Sequence, residues 1–250
     1  MSSIQDTRPT VLAFHKLTSQ FTFGVTNYPP RRFNSLLEFL IDHGWQLGEA
    51  GRVSLQVSFD DGYEHLIDHL PEMMEQYRFN PVVFIPTDLA GQLNRWDYSY
   101  IVRPFRHLSQ DQIRKLSADG VIFGSHGDSH SDLCRCNDFE LKRELSDSRK
   151  RLQDWTGQSV DTVSYPFGRW NQRVREAACA AGYRLGYTME FPRAEDDDLC
   201  RGRVPVYGFD TPMSVQAKLG DGLMACVERT KSRVVSTLSG GTVWLNRLRG

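Results

Sequence analysis

Two adjacent carboxylates, Asp60 and Asp61, end an alternating run, Val53-Ser54-Leu55-Gln56-Val57-Ser58-Phe59, and Gly62 follows them. Like charges side by side are costly unless a cation shares them. A metal is the expected cation, because His126-Gly127-Asp128-Ser129-His130 follows a second strand-like run, Val121-Ile122-Phe123-Gly124. Asp61, His126 and His130 make a three-ligand set with open positions, the arrangement a hydrolytic metal needs. Asp60 is left over as a general base: a cation there brings the pKa of a water to about 7, and a neighbouring carboxylate completes its deprotonation. One divalent metal is expected, zinc by default, with manganese, cobalt, nickel or iron also compatible with these ligand types. His65 and His69 share ligand spacing but sit beside Glu72 and Gln76, off the Leu66, Leu70, Met73, Tyr77 stripe, and read as a wet helix face. His43 and His107 belong to no constellation.

The elements that must position these residues are legible from periodicity. Strand-like runs recur at residues 10–14, 53–59, 81–85, 121–124, 162–165, 184–188 and 203–207. Helical spacing joins Phe33, Leu36, Leu37, Leu40 and Ile41, and capping-box pairs mark helix starts at Ser109 with Gln112 and Asn137 with Glu140. Asn171 opens another helix that Gly182 closes. Alternating strands and helices predict an α/β fold with a parallel sheet or barrel, whose sites lie at the carboxyl ends of the strands. His15, Asp60, Asp61, His126 and Tyr165 all fall at such ends. The stretch 90–107 is long, aromatic and aperiodic, which suits a functional loop, and 195–198 is a solvated acidic run.

Taken in order, Ser58-Phe59-Asp60-Asp61-Gly62-Tyr63, Ser125-His126 through His130, and Tyr165-Pro166-Phe167-Gly168 resemble the first three motifs of the polysaccharide deacetylases, the NodB-homology enzymes of carbohydrate esterase family 4. The resemblance runs from about residue 11 to residue 206. It implies a distorted (β/α)7-type barrel of parallel strands and metal-dependent removal of N- or O-acetyl groups from a sugar or saccharide. It also implies that Asp60 is the base and that the backbone N–H of Tyr165 meets the developing oxyanion, with Pro166 and Phe167 beside the substrate. Relatives carry their acid in a late Leu-x-His motif, whereas no histidine follows His130 here. His15 takes that role if the last motif's strand lies at the amino terminus, as in a circularly permuted member. Ser164 stands where the third motif usually opens with arginine. Arg201 or Arg203 is expected to orient Asp60 instead, and Arg203 is also counted among the substrate-side groups. Trp96, with Asp97 and Tyr100, is expected to line a sugar subsite, since aromatic faces suit carbohydrate rings.

Composition sets the frame. A chain of 250 residues fits one such domain over 1–250, with 221–250 a carboxy-terminal extension of unassigned role that begins as a helix and continues into 242–245. A net charge of −1 gives no reason to expect nucleic acid as partner. The first residues lack an apolar signal-peptide core, and no stretch reaches membrane-spanning length. Five cysteines, an odd number, read as reduced thiols of a cytoplasmic protein. Two other readings keep much of this pattern: an amidohydrolase acting on a small non-sugar amide or ester, and a catalytically weak relative that binds saccharide.

Overall fold

The computed structural model describes residues 8–20, 24–48, 54–94 and 104–246. Trp96, Asp97 and Tyr100 lie outside them. The strands in chain order are β1 (Thr10–Phe14), β2 (Lys16–Leu17), β3 (Asn27–Tyr28), β4 (Gln46–Leu47), β5 (Ser54–Phe59), β6 (Val82–Ile85), β7 (Ile122–Ser125), β8 (Thr162–Ser164), β9 (Leu185–Tyr187) and β10 (Val204–Pro205). The main sheet runs β10-β1-β5-β6-β7-β8-β9, with β4 paired to the start of β5, and every pairing is parallel. Strands covered on both faces read as continuous apolar runs, and Leu12, Ala13 and Phe14 of β1 are indeed all buried.

The first and last strands are neighbours. Leu12 is in register with Val204 on one side and with Val57 on the other. The segment entering β10 also bonds back to β9, with Thr188 N donating to Arg201 O at 2.8 Å and Arg201 N to Gly186 O at 2.8 Å. The sheet thus curls into the distorted (β/α) barrel that the resemblance implies.

Helices α1 (Pro30–Asp42), α2 (Leu66–Tyr77), α3 (Gln110–Ala118) and α6 (Gln172–Ala180) each bury an apolar stripe against the sheet. Both capping boxes form, and Asn171 caps α6 through Val174 N. Helix α4 (Asp138–Lys142) continues through a π-helical turn, Arg143–Asp147, into α5 (Ser148–Thr156). After α7 (Pro212–Leu219) the chain ends in α8, one helix over Leu223–Asn246 where the sequence suggested a break before 242. Helix α8 is fastened by buried Ala225 and by Arg229, which donates to Lys218 O and Gly220 O. Among the described residues no helix is long and apolar enough to cross a membrane.

Candidate metal centre

The chain leaves β5 through Asp60, Asp61 and Gly62. Asp61 adopts φ 67°, in the left-handed region that non-glycine residues rarely occupy. Its carbonyl oxygen accepts a hydrogen bond from Nδ1 of buried His107 at 2.7 Å. Strain of this kind clusters at functional sites, where the surroundings must hold it. Among the described residues four non-glycines have positive φ: Asp61, Arg78, His130 and Phe167. Three of the four meet here.

Asp61, His126 and His130 converge, their ligand atoms all within 4.8 Å of one another. Asp61 Oδ1 lies 3.6 Å from His126 Nε2 and 3.3 Å from His130 Nε2. His126 Nδ1 is engaged by the Ser164 carbonyl at 2.7 Å, which fixes the ring and turns Nε2 toward the cluster. Burial pushes the His130 pKa down to about 3, so its imidazole is neutral, the form that binds a cation. One carboxylate and two imidazoles this close suit a single divalent ion. Among the described residues these three form the group able to do so; His65 and His69 do not.

Asp60 is held apart from that trio by Arg203. The guanidinium donates Nη1 to Oδ1 at 2.8 Å and Nη2 to Oδ2 at 2.7 Å, a bidentate pair. It also donates to Ser58 Oγ at 3.1 Å, Ser164 Oγ at 2.8 Å and Thr188 O at 3.1 Å. Burial works to raise the Asp60 pKa, but Arg203, helped by His126, holds it well below the usual carboxylate range. Arg203 is fully buried. Counting it among substrate-side groups is therefore corrected: its side chain is spent on Asp60. Arg201 pairs with Asp198 instead. The guanidinium lies over the Phe84 and Tyr187 rings, at 5.4 and 5.8 Å from their centroids. Room for Phe84 comes from Gly124 on β7, where an added Cβ would stand 2.5 Å from Phe84 Cε1.

His15 directly follows β1 and is partly exposed, within electrostatic reach of Asp61, Asp60, Arg203 and His126. Its Nδ1 is buried and finds no hydrogen-bond partner among the described residues. Burial lowers its pKa, against the pull of Asp61 and Asp60.

The reading of Tyr165 is overturned. Its backbone N–H donates to Tyr187 O at 3.0 Å, its side chain is sealed from water, and its hydroxyl donates to Leu199 O at 2.7 Å. A residue that still belongs to the β8–β9 ladder has no free amide for an oxyanion. Pro166 is buried as well. Phe167, with φ 61°, departs from the strand and sets its ring edge-on to His130, centroids 4.7 Å apart. Two histidines also differ from expectation. His107 supports the Asp61 turn although its sequence neighbourhood holds no constellation. His65 precedes α2, stacks on Tyr63 and meets Phe105 edge-on, and burial with Lys16 nearby pushes its pKa down to about 3.

The polysaccharide deacetylase family model matches residues 48–186, more than half of the chain. This chain belongs to the polysaccharide deacetylase family. It is 24% identical over 200 residues to YxkH of Bacillus subtilis (strain 168), named for the same family, covering 75% of this chain and 66% of that protein. It is 24% identical over 168 residues to a poly-beta-1,6-N-acetyl-D-glucosamine N-deacetylase of Staphylococcus aureus (strain MRSA252), covering 64% of this chain and 55% of that one. The chain thus spans between about half and two thirds of the length of these curated relatives. Among solved structures, the Streptococcus pyogenes deacetylase PplD, in complex with acetate, superposes with a TM-score of 0.74 at 17% identity over 87% of this chain and 100% of that one. IcaB from Ammonifex degensii follows at 0.68 and 19%, over 85% and 95%. These two likenesses establish the shared fold.

Proposed function

We propose that the protein is a metal-dependent hydrolase that removes acetyl groups, N-acetyl in the first place, from a sugar or saccharide intermediate. The observation carrying this reading is the Asp61–His126–His130 cluster beside a buried carboxylate, Asp60, that Arg203 keeps ionised. The three clustered side chains would hold the ion, zinc being the first choice for two imidazoles and a carboxylate. When bound, such a cation supplies Lewis-acid polarisation of an acetyl carbonyl and activation of a water.

The remaining steps belong to the chain's own groups. Asp60 keeps lone pairs beyond its two bonds to Arg203 and takes the proton of the attacking water. His15 carries the second proton at its imidazole and delivers it to the departing nitrogen. Burial lowers the His15 pKa, so the imidazole is neutral at rest and relays this proton from the attacking water to the nitrogen rather than storing it. An acetylated saccharide substrate is supported by family membership and by the poly-beta-1,6-N-acetyl-D-glucosamine deacetylases among the relatives. A cytoplasmic location is part of the proposal and rests on five cysteines that are all free. It favours a soluble saccharide over an extracellular polymer and keeps a small non-sugar amide as the second reading.

The test pairs elemental analysis of the purified protein with acetate release from N-acetylglucosamine and its β-linked oligomers. Acetate release that tracks metal content is expected. His15→Ala should retain metal but lose turnover, more on amides than on activated esters, because an amine leaving group needs a proton. Turnover confined to simple amides would give the second reading precedence, and a His15→Ala variant with full amide turnover would remove the acid role from His15.

A further inference from the structure

We infer that Glu144, on the π-helical turn between α4 and α5, is a positioning residue that clamps the loop carrying His130. The inference rests on the metal reading of that histidine but is carried by a separate set of contacts. Glu144 is 1% exposed, a rare place for a carboxylate that pairs with no cation among the described residues. Its partners are two backbone amides and one hydroxyl. Oε2 accepts from Asp128 N at 2.7 Å and Ser129 N at 3.0 Å, and Oε1 accepts from Ser129 Oγ at 2.5 Å.

The π turn reaches the loop by a second route. The carbonyls of Glu144 and Leu145 on this turn accept from Ser148 Oγ, at 2.6 and 3.1 Å. Ser148 Oγ meets Ser125 Oγ at 2.7 Å, and Ser125 Oγ accepts from Gly127 N at 3.1 Å. Three successive amides between the two histidines, at 127, 128 and 129, are therefore fixed by the five-residue turn Arg143–Asp147 and the serine that follows it. The approach is close enough to exclude a side chain: a Cβ at Gly127, where φ is +76°, would stand 2.9 Å from Glu144 Oε2.

This explains how His130 keeps φ at 60°. A left-handed non-glycine residue persists only where its surroundings over-determine it, and one carboxylate oxygen binding two consecutive amides does so for the residues just before it. π turns are rare and recur at functional sites; here the extra residue gives the helix a side chain aimed at the loop. Without Glu144, the N–H groups of buried Asp128 and half-buried Ser129 would lose their acceptor, and the loop would relax toward ordinary backbone angles, carrying the His130 ring away from Asp61.

The experiment uses three variants of the full chain. Glu144→Gln offers its amide oxygen to both backbone N–H groups and its NH2 to the Ser129 hydroxyl, which can accept as well as donate. Glu144→Leu removes the acceptor, and Glu144→Asp keeps the charge but shortens the reach. Affinity for zinc or cobalt alone, measured by competition with a chelating dye, should fall about 10- to 100-fold in the Leu and Asp variants and stay within a few-fold in Gln. In the metal-free protein, amide hydrogen exchange at Asp128 and Ser129 should accelerate in Leu and Asp but not in Gln. Unchanged affinity and unchanged exchange in a folded Leu or Asp variant would overturn the clamp. If Leu does not fold, the Asp and Gln pair decides by the same two readouts. Loss of amide protection in a chain whose parent binds no metal would uphold the clamp and reject the metal reading instead.

Discussion

Asp60–Arg203 and Asp210–Lys218 are both ion pairs sealed from solvent, yet their surroundings differ. Asp210 Oδ2 receives Lys218 Nζ at 2.5 Å and Tyr207 N at 2.8 Å, Oδ1 receives Ser214 Oγ at 3.2 Å, and Lys218 also donates to Pro205 O at 2.9 Å. Each of those partners belongs to β10, α7 or the turn between them, so the pair ties one local connection together. Asp60 has both oxygens on one planar fork drawn from a distant strand entry, and it feels His126 and His15. A buried pair alone is weak evidence of stability or of function. What faces the pair separates the two.

The comparison is most sharply tested by removing one charge from each. Asp60→Asn and Asp210→Asn both strand a buried cation, and each should cost about 3–5 kcal/mol in urea denaturation. Only Asp60→Asn should also lower turnover per folded molecule, by roughly 10² to 10⁴. Equal turnover losses in the two variants would erase the distinction. Next in size, Arg203→Lys keeps the charge but not the fork and should reduce kcat about 10- to 100-fold at unchanged metal content. Full activity in that variant would mean that bidentate orientation of Asp60 is dispensable.

Smaller effects sharpen the edges. His107→Phe removes the bond to the Asp61 carbonyl and should weaken zinc binding about tenfold, read by chelator competition. An unchanged dissociation constant would reduce His107 to packing. Acid titration of the metal-free chain separates histidines from the ion pairs. His130 and His65 take up protons near 6.5 when unfolded but only near 3 when folded. Between those values the unfolded state binds more protons, so stability falls as pH drops through that window, by up to about 1.4 kcal/mol per pH unit for each. Asp60, whose folded pKa is depressed, holds its stabilising charge until still lower pH. His65→Leu and His130→Leu should each flatten the slope; a slope unchanged in both would assign it to carboxylates.

The strands were legible because burial on one or both faces writes itself into local alternation, and β1, β5 and β6 lie where periodicity puts them. Strands β2, β3 and β4, of two residues each, leave no such trace, whereas β10, equally short, was legible because its apolar flanks extend the run to 203–207. Asp60, Asp61, His126 and His130 were readable as a unit because ligand chemistry confines them to two strand ends. Arg203 was legible only as one of two arginines: the choice depended on β10 pairing with β1, a contact between opposite ends of the chain. His107 and Glu144 act through backbone atoms, which accept or donate whatever side chain they carry, so no spacing rule points to either. Tyr165 was misplaced because a motif names residues without saying which of them still belongs to the sheet.

Gly124 has a consequence for heritable variation. It touches no substrate and carries no functional group, yet the space it leaves decides where Phe84 lies, and Phe84 underlies the guanidinium that steers Asp60. A glycine codon becomes an alanine codon by one nucleotide change. Such an allele would encode a chain with every reactive group intact and a displaced Arg203. Surveys of inactivating substitutions in this protein should therefore register a position on β7 that a catalogue of reactive side chains would pass over.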